Sequence, residues 1–431
     1  MGVAGDLVHP RDQIMRTMER IYRYRMTTTS GGNLSIHDED GAIWITPARV
    51  DKGSLRRDDM ICVREDGTRE GPHAPSSEYP FHKAIYAARP DVKAIVHAHP
   101  VALVAFSICG RTPDTRLLPQ TRRVCGEVGF ASYALPGSEA LGRNIAETFS
   151  KGFQTVVLEN HGVVTGGTSL RHAFERFETL EFAAKTVIKG SQLGEIRYLS
   201  EEQADRVRPA VSSTGEFRSR EVSSREKELR RQLVEFVRRS YQQRLMISTQ
   251  GAFSARLDEE AFLITEHKAD RQNLEIEDLV VVREGVAEAG RTPSSAWRGH
   301  QAVYETQAGV QAIVNAYPVN ATAFSVTDSE LDTRTIPESY VFLREVQRVA
   351  YETRFGDGRE LASLASMRNP IVIIENDGVQ VCGTTILDAF DRLEVLESTA
   401  EAMINSKPLG AMAPMSKETI GELRRAFFPG E

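Results

Sequence analysis

In the segment VHAHP, residues 96–100, two histidines stand one residue apart in an apolar stretch that a proline closes. Neutral imidazoles on a rigid strand suit zinc or a similar divalent ion. A His-x-His pair alone equally fits solvated side chains or histidines satisfied by core hydrogen bonds, so a third ligand is needed. His161, in LENHGVV, is the candidate, placed at another strand end beside a glycine that lets the backbone turn a side chain inward. Three histidines with an open fourth position describe a catalytic metal site.

The elements around these residues follow from local pattern. VKAIVHAH is a strand by its β-branched content, so His97 and His99 share one face. Pro100 is expected to open the next helix at its first position. SEYPFHKAIYAA, 77–88, predicts a helix with Pro80 in its first turn, placing Glu78 and His82 on one face. The short RPDVK link folds that helix back on the strand. Residues 11–25 have helical spacing, GGNLSIHDEDGAIWITP predicts a hairpin, DMICVRED a strand, and SLRHAFERFETLEFAAKTVI a long amphipathic helix. This order predicts an α/β sandwich with a central, mostly antiparallel sheet.

The pattern occurs twice. TPSSAWRGHQAVYETQAGVQAIVNAYPVNATAFSV (292–326) echoes APSSEYPFHKAIYAARPDVKAIVHAHPVALVAFSI (74–108) at an offset of 218 residues. TQGAFSARLDEEAFLIT echoes SGGNLSIHDEDGAIWIT. NPIVIIENDGVQVCGTTILDAFDRLEVLE echoes GFQTVVLENHGVVTGGTSLRHAFERFETLE, and MSKETIGELRRAF echoes LSEEQADRVRPAV. The expected domains are 1–210 and 224–431, with the repeats proper near 10–205 and 224–424, joined by an exposed Ser/Arg/Glu-rich linker at 211–223. Where the first repeat has Glu78, His97, His99 and His161, the second has Ala296, Asn315, Tyr317 and Asp377. Eight of the ten histidines fall in the first copy. His82 has a counterpart in His300, and Glu159 and Asn160 in Glu375 and Asn376, which marks these three as structural.

Composition narrows the class. The chain has 431 residues, 41% hydrophobic and 26% charged, with a net charge of −7 from interleaved acids and bases. That argues against nucleic acid or an anionic membrane surface as the main partner. No apolar run is long enough to span a membrane, and MGVAGDLVHPRDQ has neither a signal-peptide core nor the Ser or Thr of a myristoylation site. Cys62, Cys109, Cys125 and Cys382 form no CxxC pair, so the expectation is a reducing cytosol without a disulfide framework or thiolate zinc site.

SGGNLSI, WITP, PSSEYPFHKAIY, VKAIVHAHP and LENHGVVTGG, in this order, resemble the class II aldolase/adducin family, which includes fuculose-phosphate and rhamnulose-phosphate aldolases. The likeness covers the whole first repeat, and the second resembles the same fold with its site erased. It implies a class II aldolase-like α/β/α fold present twice in tandem. It implies that His97, His99 and His161 bind Zn2+ (or another divalent metal), one per chain. Glu78 is then the catalytic acid/base, and Ser30, Gly31, Asn33, Ser76 and Ser77 hold substrate phosphate. The implied reaction is aldol cleavage or condensation of a small sugar phosphate or related hydroxy-carbonyl compound through a metal-stabilised enediolate. The family's four-fold tetramers imply a homo-oligomer here, two tandem chains imitating four subunits.

Two departures matter. Ala48 and Arg49 follow ITP where the aldolases carry small phosphate-contacting residues, and Arg49 can pair with phosphate or carboxylate. The loop DTRLLPQTRRVCGEVG lacks the family's proton-donating tyrosine: Leu118 falls near its place, with Gln120, Arg122 or Arg123 as substitutes. Epimerases, dehydratases and decarboxylases share the scaffold and are the alternatives. A non-catalytic module like adducin's head is the third, one the second repeat fits well and the histidines of the first speak against.

Overall fold

The computed structural model describes residues 8–206, 216–218 and 222–429. Its contacts divide the chain into two compact units, residues 1–116 with 120–185, and 117–119 with 186–431.

The first unit carries strands β1 (Asn33–His37), β2 (Ile43–Ile45), β3 (Ile61–Val63), β4 (Arg69–Glu70), β5 (Ala94–Ala98), β6 (Val128–Ala131), β7 (Thr155–Leu158) and β8 (Val163–Gly167). Its helices are α1 (Pro10–Arg23), α2 (Tyr79–Ala88), α3 (Val101–Ile108), α4 (Pro119–Cys125), α5 (Glu139–Ser150) and the long α6 (Leu170–Gly190). The sheet runs β4-β3-β2-β1-β5-β8-β7-β6, antiparallel at every pairing but β6–β7. β1 and β5 are central, with Asn33 opposite His97. Ile95 of β5 and Val156 and Val164 of its neighbours pack with Phe81, Ile85, Ile145 and Phe149 of α2 and α5. His97, two residues on from Ile95, therefore faces the same helices.

Local chemistry sets the helix starts. His9 caps α1 by accepting from the Arg11 N–H, with Pro10 at the first position, and Ile14, Met18 and Ile21 bury one face. α2 begins at Tyr79 with Pro80 in its first turn and Glu78 in the cap position. Pro100 caps α3 instead of occupying its first position, because its extended backbone (ψ 138°) precedes the helix. β4, β6 and α4 are too short to leave a periodic signal.

The second unit repeats the plan. Its strands are β9 (Glu216–Phe217), β10 (Ala252–Arg256), β11 (Ala261–Thr265), β12 (Leu279–Arg283), β13 (Val286–Glu288), β14 (Ala312–Ala316), β15 (Val346–Val349), β16 (Ile371–Ile374) and β17 (Val379–Gly383). They order as β15-β16-β17-β14-β10-β11-β12-β13-β9. Its helices are α7 (Glu201–Asp205), α8 (Ser224–Gln242), α9 (Trp297–Thr306), α10 (Val319–Ser325), α11 (Pro337–Leu343), α12 (Arg359–Leu364), α13 (Ile386–Ser406) and α14 (Lys417–Phe427). Alternate strand residues feed two cores: Phe253, Leu263 and Val314 pack with α8 and α13, while Phe262, Ile264 and Ile313 pack with α9 and α12. Helices thus cover both faces of a mostly antiparallel sheet, the expected α/β/α sandwich.

The linker differs from expectation where it is described. Glu216 and Phe217 add a parallel strand to β13 because the sheet edge there offers unpaired backbone groups. Residues 207–215 and 219–221 of the linker region, and 1–7 at the N-terminus, lie outside the described residues. Among the described residues all four cysteines are free, and no helix is long and apolar enough to cross a membrane.

Candidate active site

His97 is fully buried on β5, with Phe81 edge-on to its ring at 5.4 Å between centroids. Its Nδ1 lies 2.9 Å from the Val163 carbonyl, which can only accept, so Nδ1 carries a hydrogen and Nε2 is the atom turned to the cluster. His99 lies one residue past the end of β5, yet its Nε2 is 3.1 Å from that of His97. His161 sits in the β7–β8 turn, which Asn160 makes possible with a left-handed φ of 52°. The Ser107 hydroxyl accepts the His161 backbone N–H at 2.9 Å and fixes the turn. All three ring pairs have centroids 4.9 Å apart. Their ligand nitrogens lie within 4.8 Å of one another, the one such group among the described residues. Tetrahedral bonding at Zn–N distances of 2.0–2.1 Å would set nitrogens about 3.3 Å apart, close to the His97–His99 spacing.

Two glycines make room for this. A Cβ on Gly31 would come to 2.9 Å from His99 Nδ1, and one on Gly162 to 2.6 Å from His99 Cδ2. Burial, reinforced by neighbouring imidazoles, pushes His99 down to about 3 and His161 to about 4. Both are neutral near pH 7, the form that donates a lone pair.

Glu78, 8% exposed, completes the cluster. Its Oε2 lies 3.1 Å from His97 Nε2 and accepts from Asn33 Nδ2 at 2.7 Å. Oε1 lies 3.4 Å from His161 Nε2 and, though buried, has no hydrogen-bond partner. Burial raises this carboxyl, but His97, His161 and the Asn33 amide together hold it well below the usual carboxylate range. Three imidazoles with converging ring nitrogens, beside a buried carboxylate oxygen lacking a hydrogen-bond partner, fit a divalent cation.

The sequence matches the family described as Class II Aldolase and Adducin N-terminal domain over residues 12–188 and again over 231–404. The chain belongs to that family. Among class II aldolase relatives, it is 34% identical over 196 residues to a 3-oxo-tetronate 4-phosphate decarboxylase of Pectobacterium atrosepticum, covering 44% of this chain and 88% of that protein. It is 29% identical to an L-fuculose phosphate aldolase of Methanococcus maripaludis, over 40% of this chain and 93% of that one. A solved L-fuculose 1-phosphate aldolase aligns at 28% identity with a TM-score of 0.42, covering 46% of this chain and 92% of that one.

The class II aldolase-like second repeat keeps the scaffold of the site without its ligands. In the first repeat Ser35 Oγ meets His82 Nδ1 and the Tyr86 hydroxyl at 2.6 Å each, and His82 Nε2 meets Asn33 Oδ1. In the second, Ser254 meets His300 and Tyr304 at 2.7 Å each, and His300 Nε2 meets Asn315 Oδ1. Asn315 stands in the place of His97 and takes over the role of Asn33. Around it, the Tyr317 hydroxyl donates to Asp377 at 3.2 Å, and half-buried Arg354 pairs with Asp377 at 3.2 Å. An ion pair fills what was a ligand cluster.

The expected phosphate residues lie on three loops that backbone bonds tie together. Lys52 N–H donates to the Thr29 carbonyl, Ser76 N–H to the Thr46 carbonyl and Ala48 N–H to the Ala74 carbonyl. Ser30 and Ser77 are exposed, while Gly31, Asn33 and Ser76 are buried. The Asn33 amide is engaged at both ends, by Glu78 and His82. Ser76 Oγ accepts the Glu78 N–H at 3.3 Å. Arg49 is exposed at a left-handed φ of 57°, with no ion pair or side-chain hydrogen bond among the described residues. Of the tyrosine substitutes, Gln120 is buried with both side-chain polar atoms unpartnered, Arg122 pairs with Glu127 at 3.2 Å, and Arg123 is exposed. Sequence reasoning missed Lys52, whose buried ammonium donates to the Pro47 carbonyl of its own loop at 2.7 Å while its backbone N–H ties that loop to Thr29. Nothing in DKGS marks a buried lysine.

Proposed function

We propose that the first repeat is a metal-dependent lyase of the aldolase type acting on a small phosphorylated hydroxy-carbonyl compound. One observation carries it: three imidazole Nε2 atoms and the Glu78 carboxylate converge, in one repeat only. His97, His99 and His161 would hold the ion, zinc or another divalent metal. Bound there, it supplies Lewis-acid stabilisation of negative charge on a substrate oxygen. Glu78, ionised at rest and oriented by Asn33, takes a proton from substrate carbon in the condensing direction and returns it in cleavage. Phosphate is held on the three tied loops by Ser30, Gly31, Ser76 and Ser77, with Asn33 and Arg49 at their margins. The second repeat serves as scaffold. Four free, well-separated cysteines support a cytosolic setting.

Decarboxylation is the second reading, favoured by the 34%-identical decarboxylase relative and by the missing tyrosine in loop 114–129. Loss of carbon dioxide leaves a carbanion of the same type, which takes a proton from solvent water, relayed by the Glu78 carboxylate. The test is metal quantification followed by a panel of ketose 1-phosphates and 3-oxo acid phosphates. Aldehyde release identifies the first reading and carbon dioxide the second. A metal-loaded chain inert to both classes, or a Glu78→Gln variant with undiminished turnover, would refute the proposal.

A further inference from the structure

The second unit holds a cavity of about 640 Å³ between the turn after α11, the approach to β16 and the end of α14. Five arginines line it: Arg334, Arg344, Arg348, Arg368 and Arg424. Three of them are absent from the first copy of the fold, where Gly126, Phe130 and Gly152 stand in the places of Arg344, Arg348 and Arg368. Two of the five are neutralised within the protein. Arg334 pairs with Asp332 at 2.9 Å, and Arg348 pairs with Glu375 at 2.8 Å while also donating to the Thr327 carbonyl. Arg368 and Arg424 are exposed and have no ion pair or side-chain hydrogen bond among the described residues. Glu330 and Glu345, both exposed, are the remaining carboxylates of the wall.

Arg344 sits there against backbone preference. Its φ of 60° and ψ of −128° belong to a region that glycine enters freely and a side chain enters only under strain. The first repeat meets the same demand with Gly126 at φ 65°. The turn itself is kept in both copies: the Thr115 hydroxyl donates to the Gly126 carbonyl at 2.6 Å, and the Thr333 hydroxyl to the Arg344 carbonyl at 2.7 Å. The second copy therefore carries an arginine where the turn favours glycine. Its guanidinium lies 3.5 Å from the centre of the Phe428 ring, which also packs edge-on to Tyr340 at 6.3 Å between centroids. That stack holds the charge at the cavity wall.

We propose that this cavity is a binding site for a small phosphate monoester carrying hydroxyl groups, held by Arg344, Arg368 and Arg424. A phosphate monoester brings roughly 1.5 to 2 negative charges at neutral pH, which suits guanidiniums that no carboxylate of the protein answers. The volume is that of a site for a small organic molecule and exceeds what inorganic phosphate fills. Glu330 and Glu345 repel a bare polyanion but accept from hydroxyl donors, so they select an ester with a hydroxylated body. The site lies wholly within the second unit, and it stands or falls apart from the chemistry proposed for the histidine cluster. It gives the repeat without metal ligands a binding role of its own.

The test is hydrogen exchange on the full chain titrated with ribose 5-phosphate, read at amides 331–334, 344–348 and 366–369. These segments line the cavity, so binding at the histidine cluster is read separately. Ribose 5-phosphate is expected to slow their exchange in a saturable way, inorganic phosphate to do so more weakly, and ribose not at all. Arg344→Gly restores the residue of the first repeat and Arg368→Gln changes an exposed side chain, so both variants should fold, as circular dichroism would show. Each removes a charge-assisted contact and should weaken the protection about tenfold or more. No protection by ribose 5-phosphate at concentrations of about 1 mM and above overturns the proposal. So does protection that ribose alone reproduces, or that neither substitution weakens.

Discussion

Replacing Gly31 by alanine probes the cluster without touching a ligand. The added Cβ would stand 2.9 Å from His99 Nδ1 and 2.9 Å from Thr28 Oγ1, with Thr27 Oγ1 at 3.0 Å. Ordinary contact begins near 3.4 Å, so these neighbours must yield by roughly half an ångström. Metal sites keep their bond lengths within about 0.2 Å, so His99 has to turn away from its productive position. Disturbing a group that orients a ligand costs typically 10- to 100-fold in metal affinity, about 1.4 to 2.8 kcal/mol. Gly31 is not left-handed, so its backbone accepts alanine, and loss of chain freedom in the unfolded state adds up to about 1 kcal/mol of stability. Folding and metal affinity are thereby separated. Competition with a chromophoric chelator measures the affinity, and urea unfolding the stability. Affinity within twofold of wild type, in a folded variant, would show that His99 is not a ligand.

Asn33→Ala strips partners from buried Glu78 and His82 and should cost roughly 1–3 kcal/mol. Because that amide bonds the ionised carboxylate, its loss raises the Glu78 pKa, moving the acid limb of the pH–rate profile to higher pH. His300→Ala should destabilise the second unit by a similar amount, roughly 1–3 kcal/mol by urea midpoint, with metal content unchanged. Burial, against the attraction of Asp51, pushes the Lys52 ammonium down to about 8. Between about pH 8 and 10.4 the folded chain sheds a proton that the unfolded chain keeps, so folding gains stability as pH rises. Relative to Lys52→Met, the wild type should gain up to roughly 3 kcal/mol across that window, read from urea midpoints at its two ends.

The duplication was legible because a constant offset carries register, and register fixes which strand residues share a face. His97, with His99 two residues on, could be placed against α2 from that periodicity alone. His161 was legible only as a histidine beside a glycine; the left-handed Asn160 that turns it inward has no periodic signature. The double role of Asn33 was hidden because its partners, Glu78 and His82, are 45 and 49 residues away and meet it only through the β1–β5 register. Arg354, which seals the second cluster, stands where the first repeat has Pro136, so aligning the repeats gave no hint of a charge entering there. Exchange of the 190–206 segment into the second unit escaped notice because its sequence continues the first repeat without a break.

The central claim is one ion held by three imidazoles in the first repeat alone. Anomalous diffraction at the metal edge, from crystals of the purified chain supplied with zinc, tests it most directly. The account predicts a single peak per chain, about 2.0–2.1 Å from Nε2 of His97, His99 and His161, with Glu78 beside it. A peak among Asn315, Tyr317 and Asp377, or none near the three histidines, would contradict it.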